Sequence, residues 1–389
     1  MSKICSNLCL HNTKKRFVRL SLLLSSVWIL VGHQTFSYSE QANHNREMTP
    51  DNVTCSVLGS IPYWDQKKAI ESFRNNIDVI DYLSVFWYNL GPDGKIRNYI
   101  HAKEDQDLIK YAHKHGVKVF ALIANLPDDQ REGSGGDWDS DRVGHILNSS
   151  QHRQTHINDI LSLARRMNFD GILIDYEALP PKYRDVYSLF IKELAQALHA
   201  NKKLLSIAIH PKTSKNNPIE NNGSHAQDWS QLQNYSDQLH FMTYGEHTSG
   251  TGPGPIASPA WLQRVFNYAI NERRVPSDKL YVGVPLYGEV WEQVKMGKYR
   301  GLNIDLTFSH VKDLKNKYHG KEMWSDAFAS PNLEYMNNED RKRKIWFENL
   351  RSFDAKRLVW EEYGLCNLAF WRLGGEDPGV WSRLRELGY

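Results

Sequence analysis

Phe169-Asp170-Gly171-Ile172-Leu173-Ile174-Asp175-Tyr176-Glu177 (FDGILIDYE) is the stretch on which the reading of the fold turns. Its apolar run is short enough to suit a buried strand better than a helix. Side chains on a strand alternate, so Leu173, Asp175 and Glu177 share one face. Two carboxylates at i and i+2 on an apolar strand are costly to bury unless they have partners or work to do. Each raises the proton affinity of the other, which suits one of them to be a general acid near neutral pH. A solvated strand end with two incidental acids is the plain alternative.

Similar runs recur on both sides: Ser56–Pro62, Tyr82–Tyr88, Lys118–Ile123, Gly171–Tyr176, Leu204–His210, Gln238–Tyr244, Leu280–Pro285 and Asn367–Trp371. Near-continuous apolar strands imply a sheet covered on its outer face. Between them, periodic apolar positions predict helices such as Asp105–His115, Thr155–Met167, Asp185–Ala200, Pro259–Glu272 and Phe347–Glu362. Strand then helix, repeated about eight times, is the order of an α/β (β/α)8 TIM barrel, with Glu177 at the carboxyl end where such barrels catalyse. A doubly wound open sheet competes, but Pro62-Tyr63-Trp64 stands where its glycine-rich phosphate loop would follow the first strand. Residues 293–345 break the rhythm. They read as a small α+β insertion between the seventh strand and its helix, forming one wall of a cleft in a barrel of residues 54–389.

The 389 residues are 41% hydrophobic, 24% charged and 12% aromatic, an ordinary globular profile. With 48 Lys plus Arg against 45 Asp plus Glu, the net charge of +3 argues against a general grip on nucleic acid. Twelve Trp, 19 Tyr and 14 Phe supply the flat faces that sugar clefts need. Lys14, Lys15, Arg16 and Arg19 precede the apolar run Leu20–Val31, and Ser37-Tyr38-Ser39 follows with small residues. Residues 1–39 therefore read as a signal peptide, with an uncleaved anchor as the alternative, and 40–53 as a polar linker. The expected destination is secreted or periplasmic, with no membrane partner for the mature domain and a monomeric state. Past the leader, Cys55 and Cys366 fall on the first and last strands, neighbours once a barrel closes. A bridge and a pair of buried free thiols both fit, and free thiols are the favoured expectation. No His/Cys cluster has zinc-ligand spacing, so neither metal nor cofactor is expected.

The motif DGILIDYE resembles the DGxDxDxE signature of glycoside hydrolase family 18, the chitinase-like enzymes. Met242-Thr243-Tyr244-Gly245 is similar to that family's sixth-strand Met-x-Tyr-Asp motif, and Ala369-Phe370-Trp371 to its eighth-strand tryptophan. Gly252–Ser258 and Trp371–Pro378 are similar to a bacterial branch with spore-cortex-lytic and other cell-wall-active members. The resemblance implies hydrolysis of β-1,4 bonds next to N-acetylglucosamine, in which the substrate's own acetamido carbonyl attacks the anomeric carbon. It assigns proton donation to Glu177, steadying of the acetamide and its oxazolinium to Asp175, and alignment of the acetamide oxygen to the Tyr244 hydroxyl. Trp371 becomes the apolar floor under the sugar. The implied partner is an N-acetylglucosamine-containing polysaccharide, peptidoglycan in preference to chitin.

Two positions depart from the family pattern. Leu173 replaces a common Asp and is expected to leave Asp175 more readily ionised. Gly245 replaces the Asp after the tyrosine, with Glu246 next door as a substitute. Tyr63, Trp64, Trp87, Tyr88, Tyr287 and Trp291, all at strand ends, are candidates to line the groove. A covalent mechanism with Glu289 as nucleophile, and a non-catalytic chitinase-like lectin, are the competing readings. The presence of Glu177 argues against the lectin.

Overall fold

The computed structural model describes residues 55–128, 137–215 and 223–389. The expected leader and linker lie outside the described residues. Eight parallel strands form the framework: β1 (Val57–Pro62), β2 (Tyr82–Leu90), β3 (Lys118–Ala124), β4 (Gly171–Asp175), β5 (Leu204–Ile209), β6 (Gln238–Phe241), β7 (Leu280–Pro285) and β8 (Leu368–Trp371). Each pairs with the next in chain order, and β1 pairs with both β2 and β8, so the sheet closes. A short strand, Ile96–Asn98, adds antiparallel to the end of β2.

The helices α1 (Gln66–Asn75), α2 (Gln106–Lys114), α3 (Ser150–Met167), α4 (Arg184–Ala200), α5 (Trp229–Tyr235), α6 (Pro259–Phe266), α7 (Leu350–Glu362) and α8 (Gly379–Glu386) follow the eight strands in turn. This is a (β/α)8 TIM barrel. A large apolar core fills the space between strands and helices, and a smaller one, with Leu58, Phe120, Leu122, Leu173 and Tyr281, fills the barrel interior. The near-continuous apolar strands thus serve two buried faces.

The insertion after β7 is a five-stranded antiparallel sheet of 288–295, 298–306, 321–325, 330–336 and 342–346 with one helix, Phe308–Tyr318. It starts at Gly288, five residues before the expected boundary. Gly288–Trp291 continues the apolar texture of β7, so composition does not mark the junction.

Cys55 and Cys366 are joined in a disulfide with Cα atoms 5.3 Å apart, which corrects the expectation of free thiols. The register explains it. Val57 pairs with Leu368, so the residues two before each also stand side by side at the barrel seam, within bridging range.

Candidate active site

Local structure delivers the acidic strand to its place. Helix α3 starts on Ser149, whose hydroxyl accepts from His152 N, and ends at Asn168 in the left-handed conformation (φ 58°). That turn feeds Phe169 into the barrel wall. Asp170 then ties β4 to its neighbour, its carboxylate accepting from Val119 N and bonding His113 Nε2, both at 2.8 Å. Asp175 emerges 7% exposed and Glu177 half-buried just beyond the strand. A hydrogen bond joins their carboxyls. Asn125, wholly buried after β3, grips the acid's main chain: its Oδ1 accepts from Glu177 N at 2.8 Å and its Nδ2 donates to Glu177 O at 3.0 Å.

Around the pair opens a groove of about 640 Å³ whose walls include Trp64, Phe86, Trp138, Met242, Tyr244 and Trp371. Trp64, 43% exposed, stands edge-on to Trp371 with ring centres 6.1 Å apart. The Arg372 guanidinium lies 5.8 Å from the Trp64 ring and pairs with Asp65 at 3.1 Å, so this rim residue is braced. Tyr244 has its place because β7 carries Gly283 opposite. A Cβ there would sit 2.9 Å from the tyrosine ring and 2.3 Å from Phe241 O. Gly245 turns the chain out of β6 at φ +78°, where a side chain would be strained.

Burial raises the proton affinity of both acids, and the charge of Asp175 raises that of Glu177 further. Carboxyls this close titrate as a unit, and the pair retains a proton into the neutral range, held by Glu177. Leu173 brings neither repulsion nor solvation to Asp175, and burial dominates its proton affinity. His210 Nε2 comes within 3.4 Å of Glu177 Oε2. Burial, helped by the Lys212 charge, pushes that ring down to about 3, so it is a neutral neighbour. Burial and the nearby Tyr287, Asp175 and Glu177 raise the Tyr244 hydroxyl, which remains a donor. Among the described residues no group of three or more His, Cys, Asp or Glu is placed to hold a metal ion.

The profile of the glycosyl hydrolases family 18 matches residues 133–376, more than half of the chain and the stretch that carries the acid pair, Tyr244 and Trp371. The chain belongs to glycosyl hydrolases family 18. It is 26% identical to the uncharacterized glycosylase YvbX of Bacillus subtilis over 72% of this chain and 77% of that protein. It is 28% identical to the cortical fragment-lytic enzyme of the same organism over 64% of this chain and 56% of that one. In fold it matches a crystal structure of chitinase from Chromobacterium violaceum with a TM-score of 0.74 at 23% identity, covering 86% of this chain and all of that one. The family and these relatives make the protein a glycoside hydrolase.

Within this family 18 barrel the structure brings Glu177, Asp175, Tyr244, Trp371 and Trp64 to one groove. Tyr63 stands behind its wall, stacked on Tyr99 at 3.9 Å and edge-on to Phe86. Tyr287 lies edge-on to Tyr244 at 6.1 Å. Other candidates fall elsewhere. Trp87 is wholly buried between barrel and helices, because alternation turns Phe86, not Trp87, inward. Tyr88 is buried too and donates to Glu104 at 2.9 Å. Trp291, also wholly buried, donates from Nε1 to Thr251 O at 2.9 Å and braces the loop after β6. Glu246 does not substitute for the absent Asp: its carboxylate accepts from Ser258 N and Oγ, at the start of α6. Glu289 pairs with Trp346 inside the insertion sheet and is not part of the groove lining.

Sequence reasoning missed Asn125, Trp138, His210 and His240. The alternation rule applied to the end of β5 reaches His210. Nothing local marks Asn125 or Trp138, whose roles depend on strands and loops distant in sequence.

Proposed function

We propose that this enzyme hydrolyses β-1,4 linkages of N-acetylglucosamine-containing polysaccharide with retention, using the substrate's acetamido group as nucleophile. The observation that carries the reading is the hydrogen-bonded Asp175–Glu177 pair at the foot of an aromatic groove, with burial and mutual charge keeping a proton on Glu177. Glu177 gives that proton to the glycosidic oxygen as the C1–O bond breaks, while the acetamido carbonyl oxygen bonds to C1. The resulting oxazolinium lies against the Asp175 carboxylate, where a dry surrounding makes the attraction larger than in solvent. The Tyr244 hydroxyl donates to the acetamido oxygen and aligns it. Water then attacks C1, its proton passes to the Glu177 carboxylate, and the acetamido oxygen leaves C1. Trp371 and Trp64 supply faces for the sugar C–H groups.

Peptidoglycan is the preferred substrate over chitin, a reading supported by the cortex-lytic name of one relative. Export is supported by the Cys55–Cys366 disulfide, since such bonds persist in oxidising compartments. The test is incubation of the purified protein with peptidoglycan and with chitooligosaccharides, reading new reducing ends by mass spectrometry. Wild type releases fragments, Glu177→Gln releases none, and Glu289→Gln stays within a few-fold of wild type. Release by Glu177→Gln at the wild-type rate removes the proposed donor. Binding without turnover by the wild type replaces the enzyme with a carbohydrate-binding protein.

A further inference from the structure

The groove floor holds a buried titratable side chain that the proposed reaction does not use. His240, on β6, is 3% exposed and lines the groove together with Leu173, Asp175, Ala208 and Met242. Neither of its ring nitrogens meets a hydrogen-bond partner among the described residues. Asp175 Oδ1 and Ser206 Oγ are in the same condition. Buried polar atoms are rarely left so, and three such side chains on adjacent strands point to one shared contact.

The ladder register brings them together. Leu173 on β4 pairs with Ser206 on β5, and Ala208 on β5 pairs with His240 on β6. Alternation turns positions 173, 175, 206, 208 and 240 to the barrel interior. The strand between the carboxylate and the imidazole thus carries only small side chains, Ser206 and Ala208. Two strand spacings put the main chains roughly 10 Å apart, a span that an imidazole, one water and a carboxylate can fill. On its own strand Asp175 has apolar Leu173 on one side and Glu177 on the other.

We propose that His240 is a positioning residue for Asp175, donating from one ring nitrogen, through a water shared with Ser206, to the carboxylate oxygen that Glu177 does not use. The consequence for turnover rests on the reaction assigned above; the geometry does not. Burial pushes the His240 ring down to about 4, so in the neutral range it is uncharged and offers one donor and one acceptor. A donor at this oxygen favours the ionised carboxylate, fixes its rotation towards the acetamide, and leaves the shared proton with Glu177. The other titratable groups near the Asp175–Glu177 pair are Tyr99 beyond β2, Tyr187 on α4, Tyr244 after β6 and His210 after β5. Burial raises the three tyrosines and lowers His210, so none of these four changes charge between pH 5 and 8.

The test is a carbon-13 NMR titration of carboxyl-labelled aspartate in the full chain, with the Asp175 signal identified by its loss in Asp175→Asn. His240→Leu is expected to move the Asp175 midpoint up by about one pH unit, and His240→Asn to recover at least half of that shift. On peptidoglycan fragments the acidic limb of kcat/KM moves upward by a similar amount, with KM little changed. An unchanged midpoint in His240→Leu, or an equal shift in His240→Asn, overturns the proposal. If His240→Leu does not fold, Ser206→Ala replaces it: a smaller upward shift supports the shared water and no shift refutes it. Because the titration reads the resting protein, a failure of the proposed reaction appears as absent turnover with the titration result intact.

Discussion

Truncating Asn125 is expected to disable the proposed acid without touching its carboxyl. Three side-chain hydrogen bonds disappear in Asn125→Ala: from Glu177 N, to Glu177 O and to Asp139 O, at 2.8, 3.0 and 3.0 Å. At about 1 kcal/mol net for each bond, and somewhat more where a buried group is stranded, the loss is about 2–4 kcal/mol. Unfolding entropy is about 2.1 cal/mol/K per residue, so for a unit the size of Asn52–Tyr389 the melting temperature should fall by roughly 3–6 °C. The catalytic loss is expected to be larger, because a reacting group displaced by about 1 Å costs on the order of 100-fold. It should fall on kcat, since Trp64 and Trp371 still hold the sugar. Asp139 matters here because it follows the groove residue Trp138 and its N–H donates back to Asn125 O at 3.1 Å. Asn125 therefore joins two walls. Asn125→Asp keeps the acceptor for Glu177 N but turns an oxygen towards two carbonyls, and its charge should raise the pH midpoint of the acid pair. The assays are differential scanning fluorimetry and reducing-end release from peptidoglycan fragments between pH 4.5 and 8. A folded Asn125→Ala protein with kcat within three-fold of wild type would refute the argument that this grip positions the acid.

Replacing Cys55 and Cys366 by serine opens a link between residues 311 apart, and the chain-entropy argument predicts a loss of up to about 6 kcal/mol, read as a lower urea midpoint with an intact far-ultraviolet spectrum. An unchanged midpoint would mean that pairing of β1 with β8 holds the seam unaided. Asp175→Asn should stabilise the resting protein, because a folded-state pKa raised from 3.8 towards 7 makes wild-type stability fall as pH rises through that window. The buried His156, His210 and His240, lowered to between about 3 and 4, drive stability the opposite way below pH 6.5, so the difference between variant and wild type is the quantity to follow. It should grow from near zero at pH 4 to about 1–3 kcal/mol at pH 7.5, and a flat difference would contradict the burial argument.

The barrel was legible because its signal is periodic and repeated: all eight strands fall within three residues of the runs read from the chain. The acid pair was legible for a related reason, since i and i+2 on a strand fixes a common face without any tertiary knowledge. Trp87 shows where that logic stops. Tyr82–Leu90 carries bulky apolar side chains at both parities, with Ser84 and Asn89 on opposite ones, so either parity could face the groove, and the irregular β2–β3 pairing between Val85 and Tyr88 hides the phase further. Glu246 fails differently. It neighbours the tyrosine motif, but the first turn of α6 offers it Ser258 N–H and hydroxyl, and that competing local contact wins. The disulfide needed the register of β1 against β8, which is set by barrel closure and has no counterpart in local sequence.

The departures at Leu173 and Gly245 and the engagement of Glu246 elsewhere share one feature. Each removes a charged or polar group from the vicinity of the acid pair, by replacement at the first two positions and by capture in a helix start at the third. What remains around the carboxyls is largely hydrocarbon and aromatic surface: Phe86, Leu122, Leu126, Leu173, Met242 and Trp371. In such surroundings a carboxylate pair keeps its proton more firmly, and a cation forming beside Asp175 is attracted more strongly than in a wet site. Under the proposed reaction, the same change serves both halves of catalysis, the acid and the counter-charge. The loss falls on recognition, because few fixed polar groups remain to read the sugar hydroxyls. Selection then depends on the acetamido group, met by Asp175 and Tyr244, and on the stacking faces of Trp64 and Trp371. A substrate lacking the acetamido group should therefore lose turnover far more than one altered at a hydroxyl, because only the acetamido group is both gripped and used.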